Sequence, residues 1–138
     1  MSAWPDVEGG VRDWLRADTA ITALVAGRVF FGIPEGATDA TFPLVTVARV
    51  GGGQDPSEAP LDLALIDVSV WGRLRDKAGA TEVLNAVRSR LEEIRGRTTL
   101  ATGVDAFGAE VVGVVWLPDA DNARPRYSVT AEVTAMAA

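Results

Sequence analysis

Leu63-Ala-Leu-Ile-Asp-Val-Ser-Val-Trp71, followed after Gly72-Arg-Leu-Arg75 by one long amphipathic run, decides how this chain folds. The even positions Ala64, Ile66, Val68 and Val70 are all apolar, whereas the odd positions mix Leu63, Leu65 and Trp71 with Asp67 and Ser69. Alternate side chains of a strand point to opposite faces, so one face is built for a core and the other is amphipathic. Asp76 then has the chemistry of a helix N-cap, a carboxylate able to accept from a free amide of the first turn. Ala80, Val83, Leu84, Val87, Leu91 and Ile94 recur at three- and four-residue spacing, one apolar stripe of a long helix. A buried strand feeding such a helix predicts a sheet with the helix laid back on it.

The segments on either side extend that scaffold. Trp4, Val7, Val11, Trp14 and Leu15 predict a first helix over about 5–17, weakened by the interior pair Gly9-Gly10. Asp18 or Thr19 caps a second, Ala20 to Ala26, stopped by Gly27. Arg28 to Phe31 reads as a short strand, Gly32 to Phe42 as loop, and Pro43 to Val50 as a strand opened by its proline. Gly51 to Pro60 reads as a polar insertion, the flexible tip of an antiparallel hairpin with the central strand. Gly96 to Gly108 reads as irregular, with a short extended piece at 98–101. Glu110 to Leu117 is nearly continuous apolar strand, which predicts cover on both faces. Pro118 to Pro125 is a turn, and Arg126 to Met136 alternates as a closing strand. The expectation is a single α+β domain over 1–138. It has a mainly antiparallel four- to five-stranded sheet, two N-terminal helices and one long helix packed on one face.

Composition narrows the function. The chain has 138 residues, no cysteine and no histidine, with a net charge of −6. Lacking cysteine, it has neither a disulfide framework nor a thiolate zinc site. Without histidine it lacks the usual general base and the commonest metal ligand. The acidic balance argues against a general nucleic-acid binder. No apolar run approaches the ~20 residues that span a bilayer, and the opening residues lack the parts of a signal peptide. Charge is uneven: Arg73 to Arg97 holds seven basic residues against four acids, and the remainder six against fifteen. Those cations read either as a solvated helix face or as a docking surface for an acidic neighbour, another copy of the chain included.

Candidate chemistry is thin. Asp119, Asp121 and Asn122 lack the glycine and distal glutamate of a calcium loop. Glu92 and Glu93 are adjacent in a helix and point apart. Gly51-Gly-Gly-Gln54 lies between strands and lacks the lysine and hydroxyl of a phosphate loop. Trp4, Trp14 and Trp116 read as core or interface aromatics. No enzyme, cofactor or metal is expected. The apolar surplus is more informative. One helical layer covers one sheet face, leaving Leu63, Leu65, Trp71 and one apolar set of 110–117 on the other. Either loops 32–42 and 96–108 fold over them or another subunit does.

Several stretches together resemble the tail terminator (tail completion) proteins of long-tailed, lambda-like phages and related particles. Asp18-Thr-Ala-Ile-Thr-Ala-Leu-Val-Ala-Gly-Arg-Val-Phe-Phe31 is similar to that family's opening, a short helix ending in glycine and arginine before a strand. Phe42-Pro-Leu-Val-Thr-Val47 resembles its second strand. Ile66-Asp-Val-Ser-Val-Trp-Gly-Arg73, running into the alanine-rich Ala78 to Leu91, resembles its strand ending in an aromatic residue before a helix. The closing strand from Tyr127 fits too.

The resemblance implies a structural virion protein, assembled in the host cytoplasm and residing at the head–tail junction. Such subunits form a homohexameric ring that caps the tail tube, ends its polymerisation and joins the tail to the head connector. The implied partners are the major tail tube protein, a head-closure or connector protein, and genomic DNA passing through the lumen. Six copies at −6 each would carry −36, which suits a bore through which DNA slides. Gly52, Gln54, Asp55, Glu58, Trp71, Arg73 and Arg75 are the candidate interface residues. The competing readings are a monomeric ligand-binding or regulatory α+β domain, another head–tail connector protein, and a small hydrolase, which the missing histidine and cysteine disfavour.

Overall fold

The computed structural model describes residues 5–54, 61–117 and 123–137. Three helices, α1 (Val7–Arg16), α2 (Thr19–Val25) and α3 (Lys77–Glu92), pack on one face of a sheet. The strands are β1 (Val29–Phe30), β2 (Leu44–Gln54), β3 (Asp62–Trp71), β4 (Arg95–Ala101), β5 (Val104–Trp116) and β6 (Arg126–Ala137). Their order across the sheet is β1-β2-β3-β6-β5-β4. All neighbours are antiparallel except β1 and β2, so the sheet is mixed, with six strands where four or five are expected.

The central strand behaves as its alternation requires. Ala64, Ile66, Val68 and Val70 are fully buried beneath the helices, meeting the α3 stripe of Ala80, Val83, Leu84, Val87 and Leu91. Each helix starts on an aspartate: Asp6 accepts from the Gly9 amide at 3.0 Å, Asp18 from Ile21 at 3.1 Å and Asp76 from Gly79 at 2.9 Å. α2 ends on Ala26 in the left-handed conformation, one residue before the glycine expected to stop it.

The Gly9-Gly10 pair has a packing reason. A Cβ on Gly10 would lie 3.0 Å from Val104 Cγ1 and 3.3 Å from Leu100 Cβ, so the missing side chain lets α1 close on the β4–β5 hairpin. The same helix reaches the other side of the sheet, where the Arg49 amide of β2 donates to the Glu8 carboxylate at 2.7 Å. A sheet whose opposite flanks both touch one helix is curled around it.

Two expectations fail here. The segment 96–108 is not irregular: β4 and the start of β5 form a hairpin that widens the sheet. Threonine-rich β4 has no apolar alternation, and its register shifts disguise it further. Gly51 to Gln54 is not a flexible tip either, for β2 continues through it, paired with Asp62 to Leu65.

Candidate assembly surface

The sheet face away from the helices is less greasy than its odd-position leucines imply. Asp67 at its centre accepts from Ser69 Oγ at 2.7 Å and from Ser128 Oγ. Arg126 donates to Ser69 Oγ at 3.3 Å and lays its guanidinium over the Trp71 ring at 4.2 Å. Trp71 Nε1 donates to Thr46 Oγ1 at 3.0 Å. Trp71 is therefore half-buried and satisfied within its own subunit, a member of a polar network rather than a bare apolar anchor. Leu63, at 38% exposure, is the apolar residue of β3 that this face leaves most open.

Of the expected apolar surplus, the part on the second half of β5 is the most exposed. Val112, Val114, Val115, Trp116 and Leu117 are each between 37% and 53% exposed. Val114 and Trp116 pair with Val129 and Tyr127 on the helix side, while Val115 pairs with Ser128 on the far side. A continuous apolar run predicts cover on both faces, yet both are open. β4 pairs with β5 only as far as Gly108, with one further bond from the Ala109 amide to the Ile94 carbonyl at 3.3 Å. Beyond it, among the described residues, β5 is an unpaired sheet edge. Val111 to Leu117 contains no charge and no proline, the composition of an edge prone to pair with other chains.

The opposite flank has a matching gap. β1 covers β2 only at Val45 and Thr46, and Glu8 caps the Arg49 amide. Val50, at a bulge, is 61% exposed, and Gly51 to Gln54 have no outer strand among the described residues. A Cβ on Gly52 would lie 2.0 Å from the Leu63 carbonyl, and its φ is +90°, so only glycine fits there. The end of this edge is anchored by Asp62, 3% exposed, whose carboxylate accepts from both terminal guanidinium nitrogens of Arg49 at 2.5 and 2.6 Å. That pairing raises the Arg49 pKa further above its already high value, chiefly through the hydrogen bond.

The remaining candidates divide. Asp55 and Glu58 lie outside the described residues. Arg73 is exposed but committed to a local tether, its Nε donating to the Phe42 carbonyl at 2.8 Å. Arg75 adopts a left-handed backbone (φ 59°) and donates its amide to the Ala123 carbonyl at 2.9 Å. Its side chain helps line a hollow of about 230 Å³ with Lys77, Trp116, Arg124 and Pro125. Lys77 Nζ stands 4.8 Å over the Trp116 ring, and Trp116 packs on Tyr127 at 4.8 Å. Ligand pockets usually run from about 300 Å³, so this hollow is small for one. Among the described residues no group of three or more acidic side chains could hold a metal ion. Among the described residues no helix is long and apolar enough to cross a membrane.

The sequence places one apolar set of 110–117 in the uncovered surplus; what it does not reveal is that both faces of this half of β5 are open and its edge unpaired among the described residues. The signal was there, an uncharged run of seven residues, but it reads equally as a doubly covered interior strand.

A chain in the virion of a native gene transfer agent (GTA) particle shares the fold, with a TM-score of 0.75. The two are 18% identical, and the match covers 94% of each chain. No curated protein matches the sequence significantly. The family model for the tail completion protein gp17 matches residues 9–135, and the chain accordingly belongs to the tail completion protein gp17 family.

Proposed function

We propose that this protein is the tail terminator of a phage or phage-like particle. Six copies close into a ring on the finished tail tube, end its polymerisation and present a surface to the head connector while DNA passes through the bore. The observation that carries this reading is the apolar second half of β5, exposed on both faces and unpaired along its edge among the described residues. Burying a large apolar side chain is worth about 1.5–3 kcal/mol, so five side chains exposed together favour association strongly. A capping ring supplies neighbours without catalysis, which fits a chain with no histidine and no cysteine. Its net charge of −6 per copy suits a conduit for a polyanion.

The test pairs a mass measurement with a functional one. Light scattering should give about six times the 14.5 kDa subunit mass, either free or on isolated tubes. Deleting the gene should yield overlong tails that fail to join heads. Tails of normal length, joined normally in its absence, would end the proposal.

A further inference from the structure

We infer that the ring closes by strand pairing, the open half of β5 in one copy adding to the open end of β2, Gly51 to Gln54, in the next. This rests on the ring reading above and specifies the contact that builds it.

Direction permits the contact. Along β2-β3-β6-β5 each strand runs opposite to its neighbour, so β2 and β5 are themselves antiparallel. A second copy brought alongside in the same orientation places its β2 beside β5 of the first, and the alternation continues unbroken. A ring requires this kind of contact, between two different surfaces of the same subunit, because a contact of β5 with itself would stop at a dimer.

Each edge is also prepared for it. β1 and Glu8 cover the first part of β2, and β4 covers the first part of β5, leaving the second part of each of these two strands open among the described residues. Gly51 to Gly53 carry no side chains that would bar an approaching backbone, and β5 presents no charge from Val111 onward. The β5 backbone faces the right way. The Leu117 amide donates inward to the Arg126 carbonyl at 2.8 Å. By antiparallel alternation Val115 also faces β6, while Val114 and Trp116 turn their amides and carbonyls to the open side.

The two stretches are not level. Traced through the registers, Gly51 to Gln54 sit beside Leu65 to Asp62 of β3, and Val111 to Trp116 stand level with Ile66 to Val70. The offset is about four residues, roughly 13 Å at 3.3 Å per residue. Successive copies must therefore step along the strand direction, and a closed ring accommodates that step only with strands inclined to its axis.

The absence of native cysteine makes the contact directly testable. Val50→Cys is made in one sample, and Val112→Cys, Val114→Cys or Trp116→Cys in others. Each is oxidised alone and mixed with the first, in solution and on tail tubes. Mixed samples should form disulfide heterodimers, single variants should not, and a chain carrying Val50→Cys with the best β5 partner should give a ladder ending at six. A hexamer by light scattering with no mixed cross-link at any of the three positions overturns the pairing but leaves the ring. Self-linking by Val114→Cys alone shows β5 pairing with itself and overturns it too. Monomers both in solution and on tubes would remove the ring reading along with this one.

Discussion

At the scale of single residues, two aspartates hold the ends of the sheet in different ways. Asp105 is 3% exposed and accepts from Arg97 Nε and Thr99 Oγ1, both at 2.9 Å. Arg97 first, then Thr99, hold its carboxyl below the usual carboxylate range. A folded-state pKa below the unfolded one contributes stability that is complete above the unfolded value, about 3.9, and disappears as pH falls through the folded value. Asp105→Asn should therefore be less stable than the parent at pH 7, with the gap closing below pH ~4, as read from urea midpoints. An equal gap at pH 7 and pH 3 would contradict the assignment. Asp62 is a different case, because its partner Arg49 keeps about a third of its side chain in water (34%) and can swing outward when released. Asp62→Ala should cost about 1–2 kcal/mol in chemical denaturation, not the 3–5 of a wholly buried pair.

At the scale of elements, the helices are held by local chemistry that substitution can address separately. Asp76→Ala removes the acceptor for the Gly79 amide and should cost about 1 kcal/mol. Gly10→Leu should cost more, about 1–3 kcal/mol, because the new side chain must enter the space filled by Leu100 and Val104. Thermal unfolding of both variants separates a lost cap from an overfilled contact. The helices and β3 were legible from residues alone, since their buried positions follow the 3.6 and 2.0 periods that define such elements. The β4–β5 hairpin was not. Arg95-Gly-Arg-Thr-Thr-Leu-Ala101 alternates weakly and buries only Leu100, so its strand character comes from pairing with β5 rather than from its own pattern. Gly51-Gly-Gly-Gln54 was misread for a related reason. Glycine signals a turn in the sequence, whereas here the neighbouring strand keeps the backbone extended. Among the candidate site residues, Gly52 and Gln54 sit on a stretch of β2 that has no outer strand among the described residues. Trp71 and Arg73 have the chemistry of contact residues, but that chemistry is spent inside the subunit on Thr46, Arg126 and Phe42. Sequence shows which side chains can make contacts, but not which contacts the fold already satisfies.

At the scale of the whole molecule, the fold divides into a finished interior and an unfinished margin. Among the described residues, 25 buried side chains form one core cluster that draws on all three helices and every strand. Apart from Val111, which packs against that cluster, the open half of β5 lies outside it, so its exposed side chains can be altered without touching the core. Val112 at its bulge and Val115 on the far face are 53% and 52% exposed, the widest-open side chains of β5's free half. Replacing both, Val112→Lys with Val115→Lys, leaves the buried residues untouched. The unfolding free energy of the isolated subunit should then change by no more than about 0.5 kcal/mol per site, as for ordinary surface substitutions. Association should respond very differently, because each lysine would have to be desolvated in the contact without a partner. The double variant should stay monomeric at concentrations where the parent associates, and its melting temperature should lose the dependence on concentration that assembly gives the parent. Light scattering and melting curves over a hundredfold concentration range read both effects. A variant that melts far earlier even when dilute would show that this strip supports the subunit itself. One that assembles like the parent would show that the ring is built on another surface.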